Sequence, residues 1–335
     1  MKTVCVDLWR GQVRGEGHNT KTTVCKVPPT PQLDVRALFV RGYSQFSDLC
    51  RDVDAPGVAL VAVDETTGAP AGLVRLSARF DRHVAAIVGR HDGCDLYLAE
   101  SERLALRQLA VVLDPMSGSS DVCFRVFDLR TADGFVAEDG RQLRGLRVEG
   151  PAVLRCGGYA IFALPVGDPT DWPASAEDAW ACLPERVYFD ELKRCPEGSI
   201  ARPAPMRGDN TSVVVRTHGP RDTGMRLVED GDLAGTLTVS GPAGHAVITV
   251  GHQALRDGVL LGRYERCDTR ELGDTSISRV HALLLNVNDR LLAIDTASTN
   301  GTRQLGRDDA RVIDMVGDTD LELGGRTRII WKWSS

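Results

Sequence analysis

The feature that most constrains this 335-residue chain is an internal repeat. AGLVRLSARFDRHVAAIVGRHDGCD, beginning at Ala71, has a counterpart in HAVITVGHQALRDGVLLGRYERCD, beginning at His245. Both close with a strand-like run, Gly-Arg, three residues and Cys-Asp. RQLAVVL then parallels RVHALLL, RVFDLRTADG parallels LLAIDTASTNG, and GPAVLRCGGYAIFALP parallels GDTDLELGGRTRIIW. Self-similarity over so long a period predicts two copies of one folding unit in tandem.

The unit is all-β. Short apolar runs (VALVAVD, AGLVRLSA, HVAAIVG, RQLAVVLD, DVCFRVFDL, then GTLTVS, HAVITVG, HALLLN, RLLAID, TRIIWKW) are separated by turns carrying Gly or Asp. Alternation with β-branched residues predicts sandwich strands with one buried face. Abundant glycine (34) and few aromatics (5%) favour strands and turns over long helices. The expected organisation is a flexible tail at 1–35, a first sandwich at 36–165, a partly helical linker at 166–210 and a second sandwich at 211–335. Within the first domain, residues 36–52 read as a strand and a short helix covering its edge. In the linker, Ser175 and Asp178 form an N-cap pattern. Pro184 separates helical turns there, and Trp172, Trp180, Tyr188 and Phe189 predict packing onto a domain. The segment RLVEDGDLAG, which contains too few ligands for a calcium loop, reads as a hairpin turn.

Charge and cysteine usage narrow the functional classes. A net charge of -6 with no basic stripe argues against nucleic acid. Nine cysteines, an odd number without a C-x-x-C pair, read as a reducing compartment and speak against zinc. No segment has the pattern of a signal peptide or a membrane span, so a cytoplasmic location and no membrane partner are expected. Ser278 and His281 lack a G-x-S-x-G elbow and an evident acidic orienter, so no enzyme and no cofactor are expected.

Gly262-Arg263, Ser278-Arg279-Val280-His281 and Asn300-Gly301-Thr302 occur in that order inside the second copy. Together they resemble the signature of the forkhead-associated (FHA) domain, a β-sandwich that binds phosphothreonine peptides. The resemblance implies two tandem FHA-like β-sandwiches of antiparallel strands. It implies Arg263 and Ser278 on the phosphate, with Arg279 as a supplementary contact. Asn300 would hold the peptide main chain, and Thr299 and Thr275 would touch the peptide. Gly262, His281, Asp295 and Gly301 would support the loops. Taken singly, Gly-Arg also suits a surface turn and Ser-x-x-His a loop lock; their common register favours a site.

The first copy diverges where chemistry would occur. Arg90 and Arg107 persist, but the pairing of RQLAVVL with RVHALLL sets Leu106 against Ser278 and Leu109 against His281, and Asp133 replaces Asn300. Leucine donates nothing to a phosphate, and a carboxylate repels it. The expected function is a non-catalytic, bacterial-style signalling adaptor. Its ligand would be a threonine-phosphorylated protein, such as a Ser/Thr protein kinase or its substrate, bound by the second copy alone. Two alternatives stand beside it: an assembly module using both sandwiches independently of phosphorylation, and self-recognition of a tail phosphorylated at Thr22, Thr23 or Thr30.

Overall fold

The apolar runs pair into four sheets. The computed structural model describes residues 33–51, 55–116, 122–168, 172–184, 186–189, 217–218, 223–227, 232–242, 244–269 and 274–334. The tail expectation up to residue 32 and its threonines lie outside these, while Leu33 packs against an apolar cluster and Val35 opens a helix. In the first half, an outer sheet runs in the order Pro70–Ser77, Gly57–Asp64, Tyr159–Val166, Ala152–Cys156, Phe135–Ala137, Gln142–Leu143. Its inner partner runs Val187–Phe189, Gly145–Glu149, Cys123–Asp128, Leu109–Leu113, Val84–Gly89, Leu96–Tyr97. In the second half, the inner sheet is Val259–Leu261, Ala282–Val287, Arg290–Asp295, Val312–Asp314. The outer one is Thr217–His218, Thr223–Leu227, Gly244–Gly251, Leu233–Gly241, Thr327–Trp333, Thr319–Leu323, Thr302–Gln304. The result is two tandem sandwiches of mainly antiparallel strands, joined by a partly helical linker.

Each sandwich has its own core. Val58, Leu60, Val111, Phe124, Leu146 and Ile161 are among the residues filling the first. Leu237, Val250, Leu284, Leu321, Ile329 and Trp331 are among those filling the second. Trp331 is wholly buried, and Trp333 packs edge-on against it at 5.3 Å.

Three local expectations give way. Residues Val35–Arg51 form one helix, α1, with no strand, because Leu38, Phe39, Tyr43, Phe46 and Cys50 recur at helical spacing and bury one face. That face lies on the outer surface of the first outer sheet, against Val61, Phe162 and Leu164. Beyond Pro184 the chain is a strand, not a helical turn: Val187–Phe189 pairs with the edge strand Gly145–Glu149. RLVEDGDLAG is no hairpin either. Thr223–Leu227 runs parallel to Gly244–Gly251, which separates it from Leu233–Gly241. The linker helix α2 (Ala176–Cys182) starts at Ser175, whose Oγ accepts from Asp178 N at 3.3 Å. Trp172 stacks on Tyr43, and Trp180 lies against Phe39, so the linker packs beside α1.

The expectation of one buried face per strand fails for the inner sheets. Ala86 and Val88 point into the first core, while Ala85 and Ile87 point the other way into a fourth apolar cluster. That cluster joins Val112, Phe127 and Leu129 of the first half to Leu283, Leu285, Leu292 and Ile294 of the second. The two inner sheets thus pack face to face, and their strands are buried on both sides. Burying each large apolar side chain contributes about 1.5–3 kcal/mol, so this seam is a core in its own right. Residues 33–335 accordingly form a single compact unit.

Candidate functional site

At one end of the second sandwich, three loops converge. Gly262 closes the strand Val259–Leu261 and passes close to the next loop. A Cβ there would lie 2.4 Å from Arg279 O and 3.0 Å from Cys267 Sγ, so only glycine fits. Arg263 follows, exposed, with its backbone N–H donating to Ser278 O at 3.3 Å. Its side-chain Nε donates to Ile277 O at 2.8 Å. The guanidinium is thereby aimed, and its two Nη groups have no protein partner among the described residues. Arg279 is also exposed, and its side chain makes no hydrogen bond among the described residues.

Ser278 lies between them, nearly buried at 7% exposure. Its Oγ accepts from Thr299 N at 2.9 Å and stands 3.4 Å from Thr299 Oγ1. The hydroxyl therefore ties its own loop to the loop bearing Thr299 and Asn300, both exposed. Asn300 donates from Nδ2 to Ser276 O at 2.7 Å. Thr275 is exposed on the same loop as Ser276.

His281 is wholly buried and braces the arrangement. Nδ1 accepts from Ser278 N at 3.0 Å, which requires the ring to carry its proton on Nε2. Nε2 then donates to Gly301 O at 3.0 Å. Burial holds the ring's pKa below the ordinary histidine value, although Asp295 and the Gly301 carbonyl pull it upward. The neutral tautomer that the geometry demands is the form that burial favours.

Asp295 fixes the start of the third loop. Its carboxylate accepts from Ser298 N at 2.8 Å, Ser298 Oγ at 2.6 Å and Thr302 Oγ1 at 2.7 Å. Gly301 takes φ 74°, and a Cβ there would collide with the Asp309 carboxylate at 2.5 Å. The structure therefore brings Arg263, Ser278, Arg279, Thr299 and Asn300 to one rim. Beneath it lie Gly262, His281, Asp295 and Gly301. Two hydroxyls, two cations and an amide grouped on these loops suit an anionic group.

The first sandwich repeats the scaffold and corrects the sequence pairing. Arg90 Nε donates to Leu104 O at 2.8 Å, as Arg263 does to Ile277 O. Arg90 N donates to Ala105 O, as Arg263 N does to Ser278 O. Cys94 Sγ faces Leu106 O as Cys267 Sγ faces Arg279 O. Hence Ala105, not Leu106, stands where the second copy has Ser278, and Leu106 stands opposite Arg279. Gln108, not Leu109, occupies the His281 position. Its Oε1 accepts from Ala105 N at 3.0 Å, and its Nε2 donates to Gly134 O at 2.9 Å. The brace survives in amide form, while the hydroxyl is gone. Asp133, exposed, takes the place of Asn300.

The sequence pairing retains Arg107 but sets it against Arg279. The true register puts it opposite Val280, where it is buried at 5% exposure and crosses to the other sandwich. Its Nε donates to Thr296 O at 2.6 Å and its Nη2 to Ala297 O at 2.5 Å. Arg107 and Gln108 interrupt the apolar run from Leu104 to Leu113, and that polar pair was the available signal.

Comparison with known proteins matches this end of the chain. Residues 259–321 match the family model described as the FHA domain. No curated protein matches the chain. Among solved structures, Mycobacterium tuberculosis Rv1747 FHA-1 is 28% identical over 30% of this chain and 99% of its own, with a TM-score of 0.25. The FHA domain of the CT664 protein from Chlamydia trachomatis is 23% identical over 30% of this chain and 99% of its own, at 0.27. The FHA domain of an Arabidopsis thaliana hypothetical protein is 20% identical over 30% of this chain and 88% of its own, at 0.27.

Proposed function

We propose that the chain is a non-catalytic adaptor that binds threonine-phosphorylated peptides through its C-terminal FHA domain. One arrangement supports this reading: Arg263 and Arg279 are both exposed, the Arg263 Nη groups and the Arg279 side chain have no hydrogen-bond partner among the described residues, and Ser278 Oγ ties its loop to the one bearing Asn300. The phosphate would take the Arg263 guanidinium, the Ser278 hydroxyl and Arg279. Planar Nη donors match its oxygens better than a point charge would. Asn300 would exchange Ser276 O for the peptide backbone, since its amide offers both a donor and an acceptor.

The first sandwich is read as an FHA-like copy that no longer binds phosphate. Ala105 supplies no hydroxyl and Leu106 no charge where the second copy has Ser278 and Arg279. Asp133 would set a carboxylate against an incoming dianion. A Ser/Thr protein kinase or one of its substrates is the class of partner that would present the ligand.

A panel of phosphothreonine, phosphoserine and unphosphorylated peptides, titrated against the full chain, tests the reading. Selective binding of the phosphothreonine set supports it. Equal binding to all three sinks it and favours the assembly-module alternative.

A further inference from the structure

The loop that presents Asn300 is held from inside its own sandwich by Asp295, His281 and Ser278. Its preceding residues, Thr296 and Ala297, are held from outside. Ala297 sits at φ 61°, a conformation that a residue bearing a Cβ keeps only when its surroundings impose it. The carbonyls on either side of that strained centre both accept from the guanidinium of Arg107, which belongs to the first sandwich. The turn at Gly93 closes on the same point: a Cβ built there would stand 3.7 Å from the Ala297 Cβ.

The loop carrying Arg263 is held in a similar way. Three residues beyond it, Arg266 donates to Arg107 O at 3.4 Å and to Arg130 O at 3.5 Å. Arg130 answers with Nη1 on Asp268 Oδ1 at 2.5 Å and Nη2 on Gly258 O at 3.1 Å. Arg130 is the first-copy equivalent of Ala297 and shares its left-handed backbone, at φ 56°. The two copies therefore meet at equivalent turns. Only in one direction does the contact reach a competent binding loop.

We propose that the first sandwich is a built-in positioning partner of the phosphothreonine site, with Arg107 as the positioning residue that holds the Asn300 loop in its binding conformation. The proposal rests on the phosphothreonine reading above. It assigns the degenerate copy a role: the donor runs in one direction only, since the residue at the Arg107 position of the second copy is Val280, which has no donor to return to the first copy's turn. A sandwich that has lost its own ligand is free to spend a buried cation on its neighbour's loop. By linkage, peptide binding must tighten the seam as much as the seam tightens binding.

The test uses the full chain and the tightest phosphothreonine peptide from the panel, by fluorescence anisotropy. Arg107→Met is expected to weaken binding about tenfold, in the usual range for coupled sites. Arg107→Lys, which keeps one cationic donor, should fall between that variant and wild type. Amide exchange should rise at 296–301 in Arg107→Met while the strands of both sandwiches stay protected, a pattern that general destabilisation would not give. If wild type binds, Arg263→Ala does not, and Arg107→Met binds as wild type, the proposal is overturned and the phosphothreonine reading stands. If wild type ignores phosphorylation, that reading falls and the proposal with it. Should Arg107→Met fail to fold, the wild-type Arg107 Nε–H resonance decides. Peptide must shift it and slow its solvent exchange; an unmoved signal overturns the proposal.

Discussion

Gln108 predicts what His281 can be replaced with. In the first sandwich an amide makes the two bonds that the imidazole makes in the second: it accepts from the N–H three residues before it and donates to the turn glycine's carbonyl. His281→Gln should therefore keep the loops tied and cost about 1 kcal/mol or less, the worth of a typical hydrogen bond's imperfection. His281→Ala orphans Ser278 N in a site with no exposure at the ring, and leaves Gly301 O with Gly324 N alone, at 3.2 Å. An orphaned buried N–H costs about 1–3 kcal/mol and a lost hydrogen bond about 0.5–1.5 kcal/mol, so the loss is about 1.5–4.5 kcal/mol, a large share of the stability of most domains. Urea unfolding of the three proteins reads both figures. The same pair carries a pH signature. Burial sets the folded pKa of His281 below its unfolded value, so the unfolded chain takes the extra proton first. The stability contributed by the neutral ring is complete above about 6.5, the ordinary histidine value, and is lost as pH falls below it. His83, also buried and lowered by burial, titrates in both proteins and cancels in the difference. Wild type should therefore lose its advantage over His281→Gln as pH drops from 7 toward 5. Equal damage from the glutamine and alanine variants would refute the equivalence of the two braces.

Two further outcomes follow from the packing. Gly262→Ala drives a methyl against Arg279 O, 2.4 Å from the ideal Cβ, and should displace the Ser278 loop. Reduced phosphopeptide affinity with a lowered unfolding midpoint is expected, whereas Gly306→Ala, with nothing within 4 Å and only the backbone strain of its φ of 79°, should leave affinity unchanged. Leu285→Ala, at a wholly buried seam position, should cost about 2–5 kcal/mol in urea unfolding; a change under ~0.5 kcal/mol would mean that the inner sheets do not share a core.

Much of this was legible in the sequence, and the misses have physical causes. The tandem sandwiches followed from the repeat, because two copies of one strand pattern impose two copies of one core. The site residues were legible because Ser278, His281 and Asn300 are polar residues at loop positions between apolar strands, where binding residues concentrate. The first-copy register slipped by one residue because Arg107 was matched to Arg279 by identity. Carried into the strand Leu109–Leu113, such a slip moves each side chain to the opposite face. The pairing also set Arg107 against Arg279, which is exposed, and concealed its place in the seam. The seam itself was present in LAVVL and ALLLNV, continuous apolar runs of the kind that two-sided burial produces. Reading them as one-faced strands hid it. The helix α1 was legible in its spacing, but residues such as Phe39 and Tyr43 suit strands as well.

The most direct test of the account is a calorimetric titration of wild type and Arg263→Ala with one phosphothreonine peptide and its dephosphorylated twin. A charge-assisted hydrogen bond is worth about 1.5–3 kcal/mol, so losing Arg263 should weaken phosphopeptide binding about tenfold or more. Wild type should bind the phosphorylated form alone. Equal affinity of wild type for both peptides, or an Arg263→Ala protein that binds as tightly as wild type, would contradict the account.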